Sequence, residues 1–449
     1  MPDSTNADFP TLLESVVKYA KAAGADAADT VIGRNVSLSV GERLGNLEKL
    51  QRSEDQDLGL RVFIGKKQAI VSTSDFSRTA LEELAQRAVA MAKVVPEDPF
   101  CGLADPSEID KHPPQLEISD PKEPSEAELT ALVREAEAAA RAVKGVTNSE
   151  GAEAGWSRSE MAMLASNGFY GGYAQTHSGL SVAVLAGEGT GMERDYDYSS
   201  TVFFADLEAA AALGRRAGER AVRRLNPRKV ATEKVPVVLD PRVSSSIIGH
   251  LLGAINGGSI ARGTSFLKDK MGEQIFAPEL DILEDPHRAR GLRSMPFDGE
   301  GLPTQRRAVI EKGVLKTWIL DLRSARQLGL KSTGSAHRGA SSPPSPGASN
   351  VHMVAGKIGR DALLKAIPRG LYVTEMMGSA VSGVTGDYSR GASGFWIEKG
   401  KLAWPVSGIT VAGNLKDMFL NMTPASDLQF KGATNAPTVR IEGLTVAGS

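Results

Sequence analysis

The chain has 449 residues, 41% hydrophobic and 24% charged, with a formal net charge of −2. That balance is ordinary for a globular protein and leaves no basic footprint for nucleic acid or an anionic membrane. One cysteine, Cys101, excludes an internal disulfide framework and a cysteine-rich zinc site.

No stretch reaches the ~18 apolar residues that span a bilayer. The polar start MPDSTNADFP has neither the basic nor the apolar region of a secretory signal, so the expected address is the cytoplasm. At roughly 150 residues per domain, the length suggests two or three domains.

Leu12, Leu13, Val16, Val17 and Ala20 repeat with helical period, which predicts a helix over residues 9–23. Strand-like runs follow at 30–40, 45–52 and 59–72, the last folding back at Gly65-Lys66-Lys67. A helix behind Asp75 and Ser77 runs to Val95, where Pro96 stops it. After a proline-rich link the order recurs. A helix at 125–143 opens on Ser125 and Glu128, spaced as a capping box; strands come at 160–165, 169–186 and 192–204, then a helix at 207–225. Helix, three strands, helix, twice over, is what a duplication of 9–95 and 125–225 gives, with chance recurrence as the plain alternative.

Beyond Val235 strands and glycines dominate. A buried-type strand at 235–239 leads into Asp240-Pro241, an N-cap followed by an N1 proline, and a helix expected to end at Gly257-Gly258. Hairpins are predicted at Lys312-Gly313, at Lys399-Gly400 and towards 440–446, and residues 332–349 read as a flexible insertion. The predicted class is α+β with mostly antiparallel sheets in two domains, 1–228 and a strand-rich 229–449.

Gly383, Gly386, Gly391 and Gly394 interrupt strand-forming sequence. Such glycines mark bulges, left-handed residues or close backbone approach. Residues Gly383, Gly386, Asp387, Tyr388, Ser389, Arg390 and Gly391 are therefore the candidate edge where an extended peptide adds as a further strand, against the plainer alternative of turn geometry.

His250 shares a helical face with Val243, Ile247 and Ala254, and no Asp or Glu occurs from 241 to 268. Zinc catalysis needs about three protein ligands and a carboxylate near the bound water, so one imidazole there suits a packed or interface role. His112, His177, His287, His337 and His352 show no metal-type spacing. Asp298 and Glu300 are a carboxylate pair suited either to acid–base work or to a solvated turn. Gly386 to Gly391 has phosphate-loop spacing, but Ala392 stands where the lysine belongs. The arginine pairs 215–216, 223–224 and 306–307 are short, and aromatics make up only 5%, which fits solvated faces better than a nucleic-acid surface.

Several segments together resemble the PmbA/TldE proteins, relatives of the metalloprotease TldD and also known as modulators of DNA gyrase. They are Gly257-Gly258-Ser259, Pro296-Phe297-Asp298, the run from Leu328 to Gly334, Gly386-Asp387-Tyr388-Ser389-Arg390-Gly391, and Ala412-Gly413-Asn414-Leu415-Lys416-Asp417-Met418. The TldD half of the family carries His-Glu-x-x-x-His on the helix that here reads Gly249-His250-Leu251-Leu252-Gly253-Ala254, and a cysteine ligand near the C-terminus. Residues 427–433 here contain no cysteine. The resemblance therefore implies a subunit with no metal or catalytic residue of its own. It would pair with a zinc-bearing TldD-type partner that cleaves unfolded or flexible peptides, or form a homodimer when alone. An autonomous peptidase with dispersed ligands, and a regulatory protein without a share in proteolysis, stay open as alternatives.

Overall fold

A computed structural model describes residues 9–448. The first part is helix α1 (Phe9–Ala22), strands β1 (Ala27–Arg43), β2 (Asn46–Ile64) and β3 (Lys67–Thr73), and helix α2 (Arg78–Val94). The second repeats that order: α3 (Glu126–Arg141), β4 (Val146–Ala165), β5 (Tyr170–Ala186), β6 (Glu193–Thr201) and α4 (Ala210–Arg223). Both predicted caps form: Ser77 accepts from Ala80 N, and Ser125 and Glu128 make a reciprocal capping box.

The six strands make one antiparallel sheet in the order β3-β2-β1-β4-β5-β6, so β1 and β4 meet at its centre. Ile32 and Val40 lie an even number of residues apart on β1 and share a face, as strand alternation requires. Against that face pack α1 and α2, over Leu58, Leu60 and Val62, and α3 and α4, over Ala154, Leu180 and Val182.

Strand β2 runs unbroken through residues 53–58, which lie between the two predicted strands at 45–52 and 59–72. Residues 53–57 are polar and mostly exposed, so the chain there shows no apolar alternation to read. Pairing with β1, not burial, keeps it extended.

The rest of the chain begins with β7 (Glu233–Leu239), α5 (Pro241–Ala254) and α6 (Gly257–Ala261). Gly257-Gly258 opens a helix, where a stop was expected, because Asn256 caps it by accepting from Gly258 N. There follow β8 (Ile282–Glu284), β9 (Arg307–Glu311), β10 (Val314–Leu315), α7 (Leu322–Leu328), β11 (Ala336–His337), β12 (Ser345–Pro346), β13 (Val351–Met353) and α8 (Arg360–Lys365). The last elements are β14 (Arg369–Val381), β15 (Asp387–Glu398), β16 (Lys401–Asn414), α9 (Leu415–Leu420), β17 (Met422–Pro424), β18 (Thr434–Asn435) and β19 (Val439–Ala447).

Strands β16-β15-β14-β7-β19 form a sheet that closes into a five-stranded barrel through the β16–β19 pairing, with β17 added outside β19. Only β7 and β14 run parallel within it. Val237, Leu251, Val373, Trp396 and Val411 belong to the largest core, which α5 shares with the barrel. The hairpins at Lys312-Gly313 and Lys399-Gly400 form as predicted, with both central residues at positive φ. Residues 440–446 form no hairpin; they lie within β19, between β7 and β17.

Residues 332–349 are not a flexible insertion. Ser335, Ala336 and Ser349 are buried, β11 pairs with β12, and the chain lies across the face of the large sheet that carries no helices. Gly59 on β2 has a carbonyl neighbour so close that a β-carbon would stand 1.9 Å from Ala340 O. The anchor is electrostatic. The fully enclosed Arg338 places Nη1 2.8 Å from Asp29 Oδ1 on β1, and Arg61 on β2 clasps the same carboxylate from the other side. Burial alone would raise the Asp29 pKa, but the Arg338 and Arg61 guanidiniums hold it below the usual carboxylate range. Nearby, Phe297 stacks edge-on against Phe169 at 5.0 Å and Tyr173 at 5.5 Å, adding an apolar anchor beside the ionic one.

Asp29→Asn removes the charge from between two buried guanidiniums with little change of shape. The expected loss is about 3–5 kcal/mol, as for a broken buried ion pair, read as a lower midpoint in urea unfolding. A midpoint unchanged from the parent chain would show that the sheet and residues 335–349 do not depend on this clasp.

Candidate functional site

The predicted glycine-rich site forms the β14–β15 hairpin. Ser382 N donates to Asp387 O, Gly386 N to Ser382 O, and Leu415 N to Gly386 O, which closes the turn over residues 382–386. Gly386 needs its lack of a side chain, with φ of +85° and Asn414 Oδ1 2.9 Å from where a β-carbon would stand. Asp387 accepts from Thr385 Oγ1 and Asn414 Nδ2, and those bonds hold its carboxyl below the usual range.

The edge expected for strand addition does not exist here. β15 is an interior strand, with Ser389 opposite Ala380 on β14 and Ala412 on β16, and Gly391 opposite Met377 and Thr410. Its backbone is paired on both sides, so the barrel, not a peptide, takes up the hydrogen bonds. Gly394 shows what the glycines serve. A β-carbon there would lie 1.9 Å from Tyr372 O, beside the ladder irregularity between Ala392 and Gly394. Close strand approach at a bulge curves a sheet enough to close it.

The side chains of this segment divide. Asp387 and Ser389 are exposed, while Tyr388 is buried and meets the His250 ring of α5 edge-on at 5.7 Å. Arg390 donates from Nε to Gly378 O across the hairpin. At the hairpin, Val384 and Met377 are exposed apolar side chains, and Phe266 N donates to Gly383 O, tying the turn to the chain after α6. His250 Nε2 is buried without a hydrogen-bond partner. Burial, helped by the Arg390 charge, pushes the imidazole pKa below its usual value.

PmbA/TldA metallopeptidase domain 1 matches residues 28–92, the central domain 119–225 and the C-terminal domain 232–448. Metalloprotease PmbA of Escherichia coli O157:H7 is 38% identical over 94% of this chain and 92% of the relative. The chain belongs to the PmbA/TldD metalloprotease family. A homologue of Metalloprotease PmbA from Haemophilus influenzae is 35% identical over 96% of this chain and 94% of its own length. Among solved structures, a protein of Bacteroides thetaiotaomicron described as a putative modulator of DNA gyrase superposes with a TM-score of 0.91 at 28% identity, covering 99% of this chain and all of the other. TldE from Thermococcus kodakarensis shares the fold, with a TM-score of 0.87 at 20% identity over 97% of this chain and 100% of TldE.

The family name implies a metal, and the residues at α5 do not fit one. Zn²⁺ takes three or four protein donors, and the Arg390 cation that depresses the His250 pKa also opposes a second cation. Among the described residues no group of three or more His, Cys, Asp or Glu side chains could hold an ion. Asp427, Gln429, Lys431 and Gly432 face the start of α5 at Pro241, Arg242 and Ser245. There a cleft of about 190 Å³ is lined by Arg220, Arg242, Arg360, Lys431, Asp197 and Asp427. Its charges largely satisfy one another: Asp197 takes Arg216 at 2.6 Å and Arg220 at 3.1 Å, and Arg242 takes Asp195 at 2.8 Å.

Asp298 and Glu300 are neither solvated nor beside α5. They are buried under the sheet, near Arg61. Asp298 accepts from Glu300 N, Leu302 N and Ala336 N, and Glu300 Oε2 accepts from Leu322 N. Burial raises the pKa of both, and the neighbouring Asp298 raises Glu300 further. Three N–H donors favour the charged form of Asp298, so Glu300 is the member that holds a proton. The clasp at Asp29 and the His250–Tyr388 contact escaped the sequence because their partners lie far apart along the chain and no local pattern links them.

Glu300 is held above its ordinary value of 4.5, so the stability it contributes is complete below that pH and is lost as pH climbs to the raised folded value. Melting curves from pH 5 to 9 should show Glu300→Gln gaining on the parent chain as pH rises. Parallel curves would mean that Glu300 is ionised throughout. At the barrel, Gly394→Ala should cost far more stability than Gly391→Ala, whose β-carbon meets nothing nearer than 3.6 Å. Equal costs would remove the barrel-closure account of these glycines.

Proposed function

We propose that this chain is the metal-free subunit of a two-component metallopeptidase that acts on unfolded or flexible peptides, with the zinc carried by a TldD-type partner. Homologues of Metalloprotease TldD from Buchnera aphidicola and Haemophilus influenzae are among this chain's relatives, at 26% identity over about half its length. The observation that carries the proposal is the donor set of α5. A single imidazole is packed on Tyr388, its Nε2 has no partner, and no carboxylate lies from 241 to 268 to activate water.

In this proposal the β14–β15 turn contributes to the peptide passage through side chains and shape, since strand addition to β15 is closed off. Val384 offers apolar contact at the tip, and Met377 further along β14, opposite Gly391. On α5, Gly249 and Gly253 are exposed to solvent, and a β-carbon at either position would meet nothing within 4 Å. Glycine inside an exposed helix costs about 1 kcal/mol against alanine, so a surface kept this bare suits close approach by another chain. By itself the chain would have no catalytic centre and would pair with a second copy. The expected location is the cytoplasm.

The test uses the purified chain with and without a TldD-type subunit. Metal analysis should find no stoichiometric zinc on the chain alone, and cleavage of an unfolded peptide should require both subunits. His250→Ala should leave assembly and zinc content unchanged, whereas Val384→Asp should slow cleavage by the assembled pair. About one zinc per chain, lost on replacing His250, would overturn the proposal in favour of an autonomous peptidase. Full assembly with a normal cleavage rate for Val384→Asp would remove the turn from the peptide path.

A further inference from the structure

Four strand ends gather at one end of the sheet β10-β9-β8-β13-β18. There β8 ends at Glu284, which pairs with Arg307 at the start of β9 and with Val351 at the start of β13. Val351 also pairs with Thr434, the first residue of β18. The pairings collect Asp285 and Arg288 after β8, Arg306 before β9, His352 on β13 and Phe430 before β18. Phe430 is the common neighbour. The Arg288 guanidinium lies 3.5 Å over its ring centroid, and the His352 ring meets it edge-on at 5.1 Å. Phe430 itself stays 47% exposed.

Two arginines of the turn after β8 stack on aromatic rings, and they differ in what their N–H groups meet. Arg290 lies 3.9 Å over Phe203, and its donors go to Glu117 and to both carboxylate oxygens of Asp206. Arg288 is less exposed than Arg290, yet among the described residues its guanidinium donates no hydrogen bond. The nearby Asp285 accepts from His287 N and stands 3.9 Å from Arg306, beyond hydrogen-bond reach. Arg307, next in the chain, is matched by Glu284 at 3.0 Å. Two cations, Arg288 and Arg306, therefore share one carboxylate that hydrogen-bonds neither. Burial pushes the Arg288 pKa down, and Asp285 offsets only part of that. Burial, then the Arg288 and Arg306 charges, lower the pKa of His352, which keeps its ring neutral and adds no third charge.

A guanidinium held flat against a ring keeps its N–H groups at its rim, where they match the two oxygens of a carboxylate. Arg290 takes carboxylates in the same turn. A half-buried charge without a partner costs free energy, which a bound anion would recover. A lone inorganic anion would leave the Phe430 ring bare. An acid joined to an apolar group covers both. The neighbours Gln429 and Lys431 line the cleft at the start of α5, so Phe430 sits on the segment that borders it.

We infer that Arg288, Arg306 and Phe430 form a docking site for an acidic residue of a flexible peptide. The carboxylate takes the Arg288 N–H groups, Arg306 adds charge from the rim, and the apolar side chain beside the acid lies on Phe430. That a peptide supplies the carboxylate rests on the proposed peptidase role; the preference for a carboxylate rests on these side chains alone.

Fluorescence anisotropy on the full chain tests it, with a labelled, unstructured peptide blocked at both ends and carrying one Glu-Leu pair. That peptide should bind about tenfold or more tightly than its Gln-Leu counterpart, as expected when hydrogen bonds to a charged group are lost. Arg288→Met should erase the difference without lowering the melting temperature, because a charge lacking a partner adds no stability. Arg288→Lys, which keeps the charge but not the planar fork, should keep only part of the preference. The exposed Arg306→Gln is the second variant should Arg288→Met fail to fold, and it too should reduce the preference. Replacing the peptide's Leu by Ser should weaken binding to the parent chain but not to Phe430→Ala. Equal affinity for the Glu-Leu and Gln-Leu peptides would overturn the inference, as would a preference untouched by Arg288→Met or by Arg306→Gln. Inorganic phosphate displacing the peptide at lower concentration than acetate does would also overturn it, since the ligand would then be a phosphate. Every measurement is made without a TldD-type subunit. Zinc found on this chain would therefore refute the peptidase reading and leave this site standing, while failure here leaves the zinc and cleavage tests unaffected.

Discussion

The clasp of Asp29 by Arg61 and Arg338 is the constraint on which the arrangement of this protein rests. It joins three segments that are remote in the chain: β1, β2 and the stretch between β11 and β12. A buried ion pair is weak evidence of net stability, because desolvation offsets most of the attraction. Its value here is positional. Arg338 leaves Nε and Nη2 without hydrogen-bond partners, so its pairing with Asp29 is what offsets the cost of burying its charge. With that stretch fixed, Phe297 is seated against Phe169 and the buried carboxyls Asp298 and Glu300 lie beneath the sheet.

The barrel serves α5 in the same way. Tyr388 enters the core beneath the helix and packs edge-on against the His250 ring. The helix is thereby a rigid surface with small residues outward and an imidazole at its flank. Family membership supplies the protease context, and this helix offers one imidazole where a zinc site takes about three protein donors.

Much of the first 225 residues was legible because local signals agreed. Ser125 and Glu128 announced a helix start, Pro96 a stop, and the period of Leu13, Val16, Val17 and Ala20 the buried face of α1. The pattern failed where burial and pairing part company. Residues 53–57 are polar on both faces yet extended, and residues 332–349 carry turn-forming residues yet are packed, with Arg338 as their ionic anchor. Of the glycines from 383 to 394, Gly394 is the one that marks close backbone approach, and the approaching backbone is Tyr372 of the same sheet; Gly383 has open space around it. A sequence shows that room has been left; it does not show for whom.

The closing of the barrel bears on how the protein is made. Leu239 on β7 lies opposite Val439 on β19, about 200 positions further along the chain. At about 5–20 residues per second, the first of these strands leaves the ribosome on the order of ten seconds or more before its neighbour exists. Until β14 is made, Val235, Val237 and Leu239 have no partner strand, and until β19 is made they are paired on one side alone, while the six strands of residues 27–201 are already all present. Synthesis thus imposes an order, with the N-terminal sheet able to form on the nascent chain and the barrel only near the end. Until the last strand arrives, one edge of β7 stays unpaired and the barrel stays open.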